Sequence, residues 1–176
     1  MFSFNSVSQK VAGRIARSAL GVLLLTSLHH AYGAYIYHTP WRLHVVFVSL
    51  LTAAGIIGAM LALRRWPGNV AGKIAFWVFT VLTFVIPVAV IGFFEGGYNH
   101  AVKDALYFAG GSASLMRRLF PAPVYELPND LFFEVTGVLQ LVPAIITGRL
   151  LYRFVRGARR TPDARADQTL EHRSYA

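Results

Sequence analysis

The sequence predicts an all-α, polytopic membrane protein: four transmembrane helices in an antiparallel bundle, with an amphipathic N-terminal helix and a partly helical extracytoplasmic loop between spans three and four. Two observations carry that fold class. Residues 45–63 and 74–94 contain no charge at all. Residues 19–37 are apolar apart from His29 and His30, and 131–151 apart from Glu134, Gln140 and Arg149. Each run is about the roughly 20 residues that a bilayer demands. A soluble domain would interleave charges at helical period through such runs, and this chain does not. The second observation is where the cations fall. All but four of the seventeen Lys and Arg lie before the first run, between the second and third, or at and after the fourth. Only Arg42, Lys103, Arg117 and Arg118 lie on the other side. The positive-inside rule then predicts a multi-pass inner-membrane protein with both termini cytoplasmic.

The elements follow in order. Residues 1–17 predict an interfacial helix, with Phe4, Val7, Val11 and Ile15 on one face and Lys10, Arg14 and Arg17 on another, suited to anionic headgroups. Span one covers about 18–37. Its basic start and Leu-rich middle resemble a signal peptide, but the apolar run continues past the histidines through Ala34, Tyr35, Ile36 and Tyr37, which favours a retained span. A short link with Tyr37, Trp41 and Arg42 as interface anchors leads to span two, about 42–63. That span carries a small-residue stripe, Ala54, Gly55, Gly58, Ala59 and Ala62, which lets a neighbouring helix approach closely. After a basic turn at Pro67 and Gly68 comes span three, about 74–94. Span four follows at about 131–152, and Pro87 and Pro143 should kink these two helices.

The loop 95–130 should contain a helix displaying His100, Lys103, Asp104 and Tyr107 on one face, ended by Gly110 and Gly111. A second short piece should follow at 115–120, then a proline-held return with Asn129 or Asp130 capping span four. Glu95 to His100 reads as a Gly-hinged turn that closes span three. The tail 157–176 lacks apolar periodicity and should be a disordered cytoplasmic segment. The membrane domain proper is thus 18–156.

Net charge is +9, yet basic and aromatic residues are not interleaved as a nucleic-acid groove requires, so no nucleic-acid partner is expected. The chain contains no cysteine, which excludes disulfides, thiolate metal sites and iron–sulfur clusters. There is no HExxH, no phosphate-binding glycine loop and no nucleophile elbow.

The functional signal is instead the placement of ionisable residues. His29, His30, His44, Glu95 and Glu134 all fall in the outer half of the predicted spans, with His38, His100, Asp104 and Asp130 just beyond. Such groups cost at least a few kcal/mol each in hydrocarbon, so they are kept for a reason. At about 1.5 Å per residue, His30 lies roughly 10 Å below the outer surface, and His29 one residue deeper. Mixed imidazole and carboxylate donors suit a divalent first-row ion. The predicted ligands of a periplasm-facing transition-metal site (copper, iron or zinc) are His30, His44, Glu95, His100 and Glu134, with His29 and Asp104 in support. Such a site could serve redox chemistry, metal handling or proton-coupled work.

Two alternatives remain at this point. A b-type haem could be held by His44 and His30 as axial ligands. Because spans three and four lack histidine, no pair other than His44 with His30 or His29 is available. The chain could also be a non-catalytic accessory subunit of a larger membrane complex, or a homo-oligomer, whose polar residues serve interhelical bonds within the lipid bilayer.

Overall fold

The computed structural model describes residues 6–122 and 125–160, and among them every regular element is a helix. Four helices are long and apolar enough to cross a membrane: Gln9–Ile36, Pro40–Arg65, Val70–Phe108 and Leu131–Ala158. Most of the expected tail and the first residues of the N-terminal helix lie outside the described residues.

Helix α1, Ser6–Ile36, runs without interruption through residue 17, because no proline intervenes. Ala12, Ile15 and Ala16 are buried in the bundle core beside Ala19 and Val22. The expected interfacial piece and the first span therefore form one helix over the described residues. His38 then adopts a left-handed conformation (φ 52°), which turns the chain into a 3₁₀ turn at Pro40–Leu43 and helix α2, His44–Arg65.

Helix α3, Val70–Thr83, starts at Asn69, whose side chain accepts from the Gly72 amide at 2.9 Å. At Phe84, three residues before Pro87, the winding widens to π-type turns, continues so through Val102, and returns to α-helix at α4, Lys103–Phe108. Pro87 cannot donate an α-type hydrogen bond, and wider winding accommodates it. The turn expected at 95–100 is therefore absent, and the third helix runs on to Phe108. Its end is the expected glycine pair: Gly110 is left-handed (φ 80°), and the Gly111 amide returns to the Leu106 carbonyl at 2.9 Å.

Helix α5, Ala113–Leu119, follows, capped by Ser112. Asp130 caps α6, Leu131–Leu139, accepting from the Phe133 amide at 2.8 Å. Helix α7, Leu141–Arg160, continues the same path after an interruption at Gln140, three residues before Pro143.

Helix α1 packs against α2, α6, α7 and the wide-turn segment, and that segment packs against α6 and α7. Glycines permit the closest approaches. A Cβ at Gly96 would meet the Gly137 carbonyl and the Leu141 amide, and one at Gly137 would collide with the His100 ring. The small stripe of α2 faces α3 at Gly55, where a Cβ would meet Leu82, while Gly58 faces open space. The surface is apolar, with Leu24, Phe47, Leu51, Val81 and Phe93 exposed, whereas His29, Thr26, Gln140 and Thr147 are wholly buried. This arrangement suits lipid outside and polar groups within.

Candidate metal centre

His29, Glu95 and His100 each direct one ligand atom to a common point, with those atoms all within 4.8 Å of one another. Helix α1 supplies His29, and the wide-turn segment supplies the other two. The winding explains why Glu95 and His100 meet. In an α-helix residues five apart point about 140° away from each other. In π-type turns, bonded i to i+5, they differ by only about 50° and can share one face.

The atoms behind the ligands are held from outside. The hydroxyl of Thr136 donates to the Phe132 carbonyl (2.7 Å), so its oxygen accepts from His29 Nδ1–H at 3.0 Å. His29 Nε2 is thereby left as a bare acceptor, buried and without a partner. His100 Nδ1–H donates to Glu134 Oε2 at 2.6 Å, which leaves His100 Nε2 3.6 Å from Glu95 Oε1, too far for a good hydrogen bond. Glu95 is steadied by Asn99, whose Nδ2 donates to Oε2 at 2.7 Å. An imidazole whose far nitrogen is fixed by a carboxylate or hydroxyl is the usual outer support of a metal-ligating histidine. First-row ions bind nitrogen and oxygen at about 2.0–2.2 Å, so ion binding would draw these atoms together by up to about an ångström.

His30 stands beside the trio, its Nε2 3.6 Å from Glu95 Oε1 and its Nδ1 unpartnered. Being adjacent, the two histidines flank Glu95 with their rings at 89°. Glu134 does not face the trio's centre. It holds His100 from behind and accepts from Lys103 Nζ at 3.0 Å on both oxygens. Asp104 Oδ1 lies 3.8 Å from the same ammonium. His44 is exposed, stacked on Trp41 with Nδ1 2.6 Å from the Trp41 carbonyl oxygen, and so stands apart from the trio.

Lys103, one of the two cations with which Glu134 could pair on sequence alone, is 2 % exposed and also donates to the Glu126 carbonyl at 2.9 Å. Several other contributors went unrecognised in the sequence. Thr136 and Asn99 carry no sequence signal beyond residue type. Phe133 stacks on His29 (4.1 Å between centroids) and lies beneath the Arg42 guanidinium (5.5 Å). Arg42 faces Glu126 Oε1 at 3.6 Å. In the link outside the spans, burial first, and then Glu134, Asp130 and Glu126, raise the Tyr37 hydroxyl above its ordinary range. It therefore stays protonated and donates to Asn129 Oδ1 at 2.6 Å.

A cleft of about 220 Å³ adjoins the trio, bordered by His30, Arg42, His44, Glu95 and His100. Sites that bury an organic ligand usually enclose about 300–1,000 Å³, so this one suits water or a small molecule and gives haem no support.

The chain matches no known protein family, no curated protein and no solved structure.

Proposed function

We propose that this chain is a multi-pass inner-membrane protein that holds a divalent transition ion through His29 Nε2, His100 Nε2 and Glu95 Oε1. The observation that carries the reading is the bare, wholly buried Nε2 of His29, converging with Glu95 and His100 while every atom behind them is already hydrogen-bonded. Two imidazoles and one carboxylate form the donor set of non-haem iron, and of zinc in hydrolytic sites, which favours iron or zinc over copper. His30 is placed to become a fourth ligand, and the cleft leaves room for a water or small substrate. In this reading Glu134 and Asp104 orient and balance charge rather than ligate, and His44 belongs to the rim of the cleft.

The charge around the trio supports a cation. Glu134 and Asp104 face Lys103, Glu126 faces Arg42, and among the described ion pairs Glu95 faces only His30 and His100, so the carboxylates outnumber the lysine and arginine by an excess that a divalent ion would neutralise. The lopsided Lys and Arg distribution supports a reading in which both termini are cytoplasmic, the four spans alternate in direction, and the cleft faces the periplasm. The third helix, at 39 residues, is nearly twice the length that a bilayer needs, so its Glu95–Phe108 end reaches the outer boundary.

Metal analysis of the full chain purified in detergent tests the reading. Stoichiometric iron or zinc, bound with reduced affinity in His29→Ala and in His100→Ala, is the expected result. No metal as isolated and none after reconstitution would end it. One observation favours a second reading: the Glu134, His100 and Lys103 group is complete without an ion and could serve simply to staple the helices together, as in an accessory subunit. Fixed co-purifying partners and an absence of metal would select that reading.

A further inference from the structure

Two permanently charged side chains border the cleft beside the metal centre, Lys103 and Arg42, and their donors are used very differently. Lys103 is complete. Its Nζ donates to the Glu126 carbonyl and to both oxygens of Glu134, three bonds for three N–H groups. Arg42 is not. It is 4 % exposed, and its Nε donates to Thr39 Oγ1 at 2.9 Å. Its Nη2, which carries two N–H groups, is buried without a hydrogen-bond partner. The guanidinium is steadied by the rings of Trp41 (5.0 Å), Phe133 (5.5 Å) and Tyr37 (5.6 Å). Aromatic faces attract the charge, but they lack the paired oxygens for which a guanidinium fork is shaped.

Glu126 lies over this donor without satisfying it. Its Oε1 is 3.6 Å from Nη2, beyond good hydrogen-bond reach, and its side chain is 29 % exposed. An ion pair so open to water contributes at most about 1 kcal/mol. The bond that ties Glu126 to the bundle is made by its backbone carbonyl, to Lys103. Its carboxylate can therefore swing into water while that bond stays. Because Nη2 is buried, a ligand reaches it by taking the place of that carboxylate.

The chemistry of the cleft selects the ligand. Water would satisfy the N–H groups but not the charge, and a buried charge calls for a counter-charge. One guanidinium balances one negative charge, and Glu95 and Glu126 on the same cleft repel a second. The planar fork matches two oxygens in a plane. A cleft of about 220 Å³ has room for only a few heavy atoms. We propose that the cleft binds a small monoanionic carboxylate through Arg42, and that Glu126 is the internal occupant which this ligand displaces. Bound there, the anion shares the cleft with His30, Glu95 and His100. Its place beside the ion rests on the proposed metal centre, whereas its hold on Arg42 does not.

Saturation-transfer NMR with acetate tests the proposal on the full chain in detergent, with protein-free micelles as the blank. Metal-free wild type should bind acetate saturably, and zinc-loaded protein should bind it more tightly. If zinc does not load, the metal reading fails while the metal-free titration still decides this one. Arg42→Gln should bind about 10–100-fold more weakly, for the loss of a charge-assisted hydrogen bond. Glu126→Gln should bind about 2–5-fold more tightly, because the competing carboxylate is gone while its carbonyl still holds Lys103. Should Arg42→Gln fail to fold, Glu126→Gln decides alone. The absence of saturable acetate binding, undiminished affinity in a folded Arg42→Gln, no gain in Glu126→Gln, or phosphate binding as tightly as acetate would each overturn the proposal. An affinity that zinc leaves unchanged would overturn the anion's place beside the ion.

Discussion

Removing the Glu134 carboxylate should destabilise the protein and weaken metal binding at once, because that group faces both Lys103 and His100. Lys103 Nζ sits 3.0 Å from each Glu134 oxygen and is almost fully buried. At an effective dielectric constant near 20, charges 3 Å apart attract by about 5 kcal/mol. Deleting one partner of a buried pair strands the other and costs about 3–5 kcal/mol. Glu134→Leu should therefore lose about that much, while Glu134→Gln keeps one acceptor for Lys103 and should lose about half. Lys103→Met alone should cost as much as Glu134→Leu. The double variant Glu134→Leu/Lys103→Met strands neither member of this pair and should cost less than the sum of the singles by about 2–3 kcal/mol. Reversible unfolding in mixed micelles, followed by circular dichroism, measures each value. Because Glu134 also fixes His100 Nδ1–H, metal affinity in Glu134→Gln should drop about 10–100-fold. Additive single effects would refute the pairing, and unchanged metal affinity would refute the orienting role.

Gly137→Ala places a methyl group against the His100 ring and should destabilise by about 1–3 kcal/mol, with weaker metal binding, as read by thermal melting and metal titration. Asp130→Ala removes the cap on α6 and the acceptor for Tyr32, and should cost about 1–2 kcal/mol in the same unfolding assay. Tyr37→Phe gives up the bond to Asn129 and should cost about 1 kcal/mol. In this naturally cysteine-free chain, an impermeant thiol reagent applied outside spheroplasts should modify Ser114→Cys and spare Ser174→Cys; the reverse labelling would invert the proposed topology.

The four spans were legible because membrane-crossing helices need long runs free of charge, and such runs stand out in this chain. The caps were legible too, since Asp130 before Leu131 and glycines after Phe108 act through local chemistry. The extent of the third helix was not. Gly96 and Gly97 resemble a helix end, yet Gly96 is needed because the fourth span's backbone comes within about a Cβ of it, and the helix continues. The same stretch hid how the trio meets. Glu95, His100 and His29 were all among the candidates read from the sequence, but at α-helical spacing Glu95 and His100 point apart and His100 aligns with Asp104, so their convergence was not legible. Only the π-type winding brings positions five apart together. His29 and His30 could not be ranked from sequence, because adjacent residues differ only in the face they present, and the neighbour of that face, Thr136, lies 107 residues away. His44 drew attention by its depth, but its ring is taken up by Trp41 at the edge of the bundle.

X-ray absorption at the edge of the bound metal tests the central claim most directly, since it counts imidazoles at the ion. The account predicts nitrogen and oxygen neighbours at about 2.0–2.2 Å with the outer-shell scattering of at least two histidines, falling by one in His29→Ala and again in His29→Ala/His100→Ala. An ion whose imidazole count is unchanged by either substitution, or a protein that takes up no ion at all, would contradict it.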